Sequence, residues 1–306
     1  MGRAWESVLT LSIVHFMIYP EVMGGSGPVA ETLTKLAVDD FLGGVEITAI
    51  KDAQERAKVR AISAQSGLKL GFGAQPVLLM GKLSLNDLDA AGRQRAVAAI
   101  KACMDEAAEM GCQRLAVLTG PDPGDAQRER ALDYLADSVK TLCAHGRERG
   151  VGLTIETFDR DVDKKSLLGP SDLSAQFARR IRADYPEFGL MYDLSHMPLL
   201  NETALGALTT LKDYLVHIHV GNCVKIPGKP GYGDLHPRFG YPNSENDVPE
   251  LTEFLGTLFK IGYLSAEGAP GARPWVGIEV KPQGDETSEL VLAHTRRTWR
   301  EAWARL

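Results

Sequence analysis

Short apolar runs bounded by Gly, Pro or polar residues recur along the whole chain. They are Val8–His15, Gly44–Thr48, Leu68–Ala74, Arg114–Thr119, Val151–Glu156, Phe188–Asp193, Leu215–Val220 and Trp275–Val280. Runs of this length predict buried strands. Between them lie segments of helical period. In Asn86–Met110, Leu88, Ala91, Ala98, Ala102 and Ala108 recur among Arg, Lys and Glu at helical intervals, and Asp125–Arg149 and Glu286–Trp303 have the same character. Ser84 or Asn86, Asp125, Ser171 and Asn201 stand where N-caps are expected. Eight strands alternating with eight helices predict an α/β chain, a (β/α)₈ TIM barrel over residues 1–306 as one domain, with an elaborated loop at about 221–247. A doubly wound open sheet is the competitor, weakened by the absence of a GxGxxG fingerprint.

Composition narrows the partners more than the fold. With 306 residues, 44% hydrophobic and 24% charged, the chain suits one large barrel or two medium domains. A formal net charge of −6 gives nucleic-acid binding no electrostatic support. Cys103, Cys112, Cys143 and Cys223 form no CxxC pair, the usage expected of reduced thiols in a cytoplasmic protein. The apolar stretch Val8–Tyr19 is too short to span a bilayer, carries His15, and lacks a secretory cleavage pattern. No membrane partner is expected.

The chemistry lies in the second half of the chain. Four of the apolar runs, VGLTIE, FGLMYD, LVHIH and WVGIE, end in Glu156, Asp193, His219 and Glu279. Parallel barrel strands all point one way, so these side chains meet at the C-terminal mouth, where such barrels keep their active sites. Three carboxylates and an imidazole suit a hard or borderline divalent ion: Mn²⁺ first, with Mg²⁺ or Co²⁺ as alternatives. Without an ion the carboxylates would repel one another, and at least one would have to bind a proton. In LVHIHV, His217 and His219 share one strand face, His219 nearer the mouth as ligand and His217 a layer deeper. His15 closes the first strand at the same mouth and is a candidate for substrate contact or for a polar barrel residue. The loop after His219 is long, rich in Gly and Pro, and carries Lys225, His236 and Arg238, further candidates for substrate binding.

The segments YDLSHM, VHIHVGN and GIEVKP resemble the xylose-isomerase-like TIM barrels, a superfamily of sugar isomerases, ketose 3-epimerases and endonuclease IV-like enzymes. The resemblance to ketose 3-epimerases implies a Mn²⁺-type centre on Glu156, Asp193, His219 and Glu279. It also implies that His196 contacts substrate and that Glu156 and Glu279 move protons beside a carbonyl. Two positions depart from that pattern: Val162 stands where the epimerases place a substrate-binding Glu, and Lys225 where they commonly place an Arg. Within the superfamily, HFMIYPE, DRDVDKK and GNCV…GDLHPRFG resemble the catalytic subunit of C-glycoside deglycosidases, which implies a small β-sandwich partner subunit and 3-oxo-glycoside substrates. Barrels of the superfamily commonly assemble, so an oligomer is expected.

The lead expectation is a metal-dependent lyase. A base drawn from Glu156, Glu279 or His196 takes the C2 proton of a 3-oxo-glycoside, and the aglycone leaves from C1 with a proton from an acid such as His236. The alternative is a ketose 3-epimerase or sugar (phosphate) isomerase that shares the enediolate and returns the proton. Endonuclease chemistry would require more metal ligands and a basic face.

Overall fold

The computed structural model describes residues 4–265, 267 and 273–306. Eight strands pair in parallel and in sequence order: β1 (Thr10–Val14), β2 (Gly44–Ile47), β3 (Lys69–Gly73), β4 (Arg114–Val117), β5 (Gly152–Glu156), β6 (Gly189–Asp193), β7 (Leu215–Gly221) and β8 (Trp275–Glu279). β1 also pairs with β8, Thr10 opposite Trp275 and Ile13 opposite Ile278, so the sheet closes on itself. One main helix follows each strand: Val29–Ala37, Ala53–Ser66, Ala90–Glu109, Asp125–Arg149, Ser171–Arg182, Ala204–Leu211, Val248–Lys260 and Ser288–Ala304. This is the (β/α)₈ barrel expected from the periodicity. Short helices at strand ends, including Gln75–Gly81 and His196–Leu199, are additional to the eight. Among the described residues no helix is long and apolar enough to cross a membrane. All four cysteines are buried and unpaired.

Alternation divides each strand between two surroundings. Val45, Ile155, Leu190, Ile218, Val276 and Ile278 are fully buried in the apolar core. The barrel interior is instead built from small and polar residues. Trp275, the first residue of β8, fills the N-terminal end: a Cβ on Gly44 would stand 2.8 Å from its ring. Above it sit Ser12, Glu46 and His217, joined by hydrogen bonds. The last interior positions of β5, β6 and β8 and the penultimate one of β7 are Glu156, Asp193, Glu279 and His219, at the C-terminal mouth.

Helix starts differ from the expected caps because the predicted residues have found other partners. Asn86 Oδ1 accepts from Gly120 N at 2.7 Å, tying the chain before the third main helix to the end of β4. Asp89 caps that helix instead, accepting from Gly92 N. Asp125 lies inside its helix, after Gly124, where its charge suits the dipole and pairs with Arg128. Ser171 donates through both N and Oγ to Glu202, and its helix follows Pro170. Asn201 adopts φ 56°, leaving Thr203 to cap the next helix.

Two glycine substitutions separate crowding from propensity. Gly277→Ala would press a methyl group onto Glu46 and His219, and is expected to destabilise by about 1–3 kcal/mol. Gly256→Ala, inside Val248–Lys260 with only Leu306 near at 3.7 Å, is expected to stabilise by about 0.5–1 kcal/mol. Urea unfolding of both variants checks the pair; effects of the same sign would contradict the reading.

Candidate metal centre

Three of the strand-end ligands are anchored on one side and open on the other. Glu156 Oε2 accepts from Gln75 Nε2 at 2.7 Å, and its Oε1 has no hydrogen-bond partner. Asp193 Oδ1 accepts from Ser195 N at 2.6 Å, and Oδ2 has none. His219 Nε2 lies 2.8 Å from Glu46 Oε2, and Nδ1 is the open atom. That Nδ1 stands 2.7 Å from Glu279 Oε2 and 3.6 Å from Glu156 Oε1. One ligand atom from each of Glu156, Asp193, His219 and Glu279 lies within 4.8 Å of the others.

This donor set fits a divalent ion. Ligands held at roughly 2.1 Å from one centre sit no more than about 4.2 Å apart, so movements of a few tenths of an ångström close the shell. Three carboxylates beside one imidazole favour a hard or borderline ion, and four protein donors leave positions for substrate oxygens. Without an ion, protons supply the missing positive charge. Burial raises the Asp193 carboxyl to about 6. Burial alone would depress the His219 imidazole, but Glu46 and then Glu156 and Glu279 hold it well above the usual range. Metal binding would displace that proton.

A second buried group shares Asp193. Asp193, His196 and His236 also offer atoms within 4.8 Å of one another. Asp234 Oδ1 lies 3.1 Å from His196 Nε2 and 2.9 Å from His236 Nε2, and its Oδ2 lies 3.0 Å from Lys164 Nζ. Burial would lower both imidazoles; Asp234, joined by Asp193 and Glu156, holds His196 up to about 10, and Glu279 and Asp234, joined by Asp193, hold His236 up to about 9. His196 donates through Nδ1 to Thr157 O at 2.7 Å. The same Lys164–Asp234 pair joins the loop after β5 to the loop after β7. Asp159 shapes the first loop by accepting from the backbone N of Val162, Asp163 and Lys164. Asn222 and Asn246 pin the second.

The structure therefore brings Glu156, Asp193, His196, His219, His236 and Glu279 together. The other three predicted residues have their described contacts elsewhere. His15 is buried against Thr32 Oγ1 at 2.8 Å, and burial lowers its imidazole to about 3. Lys225 donates to Asn201, and Arg238 to Glu286 Oε1 at 2.8 Å. The sequence reading missed Glu46, Gln75, Asp234 and Lys164. A lone acid in the apolar run GVEIT was a usable signal for Glu46, and Asp234 two residues before His236 was a weaker one. Gln75 and Lys164 carry no periodic mark.

Comparison with known proteins agrees with this architecture. Residues 41–300 match the family described as xylose isomerase-like TIM barrel. No curated protein matches the chain in sequence. Among solved structures, D-psicose 3-epimerase from Clostridium cellulolyticum H10 is similar at 17% identity, with 97% of each chain covered and a TM-score of 0.67. The 3-keto-D-glucoside 4-epimerase from E. coli is similar at 14% identity, covering 97% of this chain and 99% of the other, with a TM-score of 0.66. An AP endonuclease of family 2 from Brucella melitensis is similar at 16% identity, covering 93% and 97%, also at 0.66. At such identities these likenesses show the shared fold alone. With the family match spanning most of the chain, the protein belongs to the xylose isomerase-like TIM barrel family.

Proposed function

We propose that the protein is a divalent-metal-dependent keto-sugar epimerase that moves a proton at a carbon next to a carbonyl. The observation carrying this reading is the pair Glu156 and Glu279. These two buried carboxylates come from strands on different sides of the centre, and one oxygen of each lies within the same 4.8 Å cluster. Two such bases can address one carbon from two directions. Epimerisation needs that arrangement: one carboxylate takes the proton and the other returns one to the opposite face. A bound divalent ion would supply Lewis-acid stabilisation of charge on the carbonyl and neighbouring hydroxyl oxygens. His236, held through Nε2 beside Asp234, can donate an N–H bond from its unpartnered Nδ1 to a further sugar oxygen, and His196, held by Thr157 and Asp234, fixes the wall beside it. The near-complete burial of these groups limits competition from water. Similarity to proteins named as D-psicose 3-epimerase and 3-keto-D-glucoside 4-epimerase favours a keto-sugar over other carbonyl compounds.

Four of the cations predicted or found near the mouth already have partners, which favours a neutral sugar. Lys164 is held by Asp163 and Asp234, Arg160 by Asp122, Arg238 by Glu286 and Lys225 by Asn201.

Elimination on a 3-oxo-glycoside remains a second reading, favoured by one observation. The loop that carries Asp234 and His236 also exposes Ile226, Tyr232 and Leu235, apolar surface suited to an aglycone or to a partner subunit. In that reading the charge left after proton removal expels the aglycone, which takes its proton from His236 or His196.

Proton NMR in D₂O with the Mn²⁺- or Mg²⁺-loaded protein distinguishes these outcomes. Deuterium at C3 of a ketohexose, or beside the carbonyl of a 3-oxo-glycoside, together with a new epimer is the expected result. Release of free aglycone without epimer would replace epimerisation with elimination, and neither change on a panel of both substrate types would overturn the reading. Glu279→Gln is expected to lose about 10²–10⁴-fold in exchange rate at matched metal content. Unchanged exchange would remove Glu279 from the proton pathway.

A further inference from the structure

We propose that Glu46 is a positioning residue that fixes which ring nitrogen of His219 faces the ion, within a cradle that the flanking strands keep clear. The inference rests on the metal reading of Glu156, Asp193, His219 and Glu279.

Glu46 lies on β2, is 4% exposed, and approaches His219 from the side away from the other ligands. Its Oε2 stands 2.8 Å from His219 Nε2. Its Oε1 accepts from Ser12 Oγ at 2.6 Å and stands 3.1 Å from His217 Nε2. An ionised carboxylate only accepts hydrogen bonds, so Nε2 keeps its hydrogen toward Glu46 when an ion takes the place of the hydrogen on the other nitrogen. The nitrogen that gives up its hydrogen to an ion is then Nδ1, the atom facing Glu156 and Glu279. A ring free to turn over or to change tautomer would present its ligating nitrogen only part of the time. Carboxylate partners of metal-binding histidines act by removing that freedom.

Two glycines make the arrangement possible. A Cβ on Gly277 of β8 would collide with Glu46 Oε1 and stand 2.7 Å from His219 Cδ2. A Cβ on Gly71 of β3 would stand 3.0 Å from Glu46 Cγ. Neither glycine has the positive φ that would call for it on backbone grounds. Glycine inside a strand otherwise weakens it, and it marks close approach of another group. Here the approaching group is the same Glu46 side chain from both sides, its methylene stem at Gly71 and its Oε1 at Gly277, with His217 and Ser12 holding that oxygen. A buried polar cluster serving stability alone would hold Glu46, but it would not make ion affinity or the ion's spectrum depend on it.

The test titrates Co²⁺ alone into metal-free wild type, Glu46→Gln and Asp193→Asn, following visible absorption and the melting temperature of each metal-free protein. Wild type is expected to bind with a defined band. Asp193→Asn should lose most of that affinity, and Glu46→Gln should bind about 10–100-fold more weakly with a shifted band. Affinity within threefold of wild type and an unchanged band in Glu46→Gln would overturn the proposal while leaving the metal centre standing. Absence of binding by wild type, or unaltered binding by Asp193→Asn, would instead sink the metal reading and this inference with it. Should Glu46→Gln not fold, long-range ¹H–¹⁵N correlation of the histidines in Zn²⁺-loaded wild type decides. Protonated Nε2 and ligated Nδ1 at His219 are expected, and the reverse assignment would overturn the proposal.

Discussion

Barrel closure drives the carboxylates of Glu156, Asp193 and Glu279 together at one buried mouth, and their mutual repulsion is the constraint that organises everything around them. In a low-dielectric interior, like charges a few ångströms apart cannot all persist without positive charge between them. The metal-free protein meets this demand with protons: burial raises the Asp193 carboxyl, and the His219 imidazole stays charged between carboxylates. A divalent ion satisfies the same demand with one centre. Under the proposed function, affinity for a cation, burial of the bases and the capacity to offset charge on a substrate have a common origin.

The second consequence is that each ligand must be held without being consumed. Gln75, the Ser195 amide and Glu46 each take one atom of a ligand and leave the other open. These partners come from three different parts of the chain, so the geometry at the centre depends on correct closure of the whole barrel. The small residues inside it, Gly44, Gly71 and Gly277, give up aliphatic packing to make room for Trp275 and Glu46. Lys164 and Asp234 then tie the loops after β5 and β7 over the centre, carrying His236 into place despite its left-handed backbone at φ 50°. Strain at such a position persists only where the surroundings impose it.

What was legible in the sequence follows from periodicity. Eight apolar runs fixed the strand positions, and residues at the ends of four of them gave the cluster at the mouth because direction is shared in a parallel barrel. His196 and His236 entered through the resemblance and the loop, since no pattern of twos or threes marks them. The caps were misplaced because Asn86, Ser171 and Asn201 are polar residues whose partners lie on other loops, and cap signals are local. Glu46, Gln75 and Asp234 were missed for the same physical reason: each acts through a partner about 40 to 170 residues away, and such pairings arise only on folding. Lys225 and Arg238 looked available in sequence, whereas in the fold Asn201 and Glu286 occupy them.

The most direct measurement is anomalous X-ray scattering from crystals grown with Mn²⁺, collected on both sides of the manganese edge. The expected result is one strong peak per chain bounded by Glu156, Asp193, Glu279 and the Nδ1 of His219. No peak there, or a peak confined to Glu46 and His217 deeper in the barrel, would contradict the assignment of these four strand ends as the metal centre.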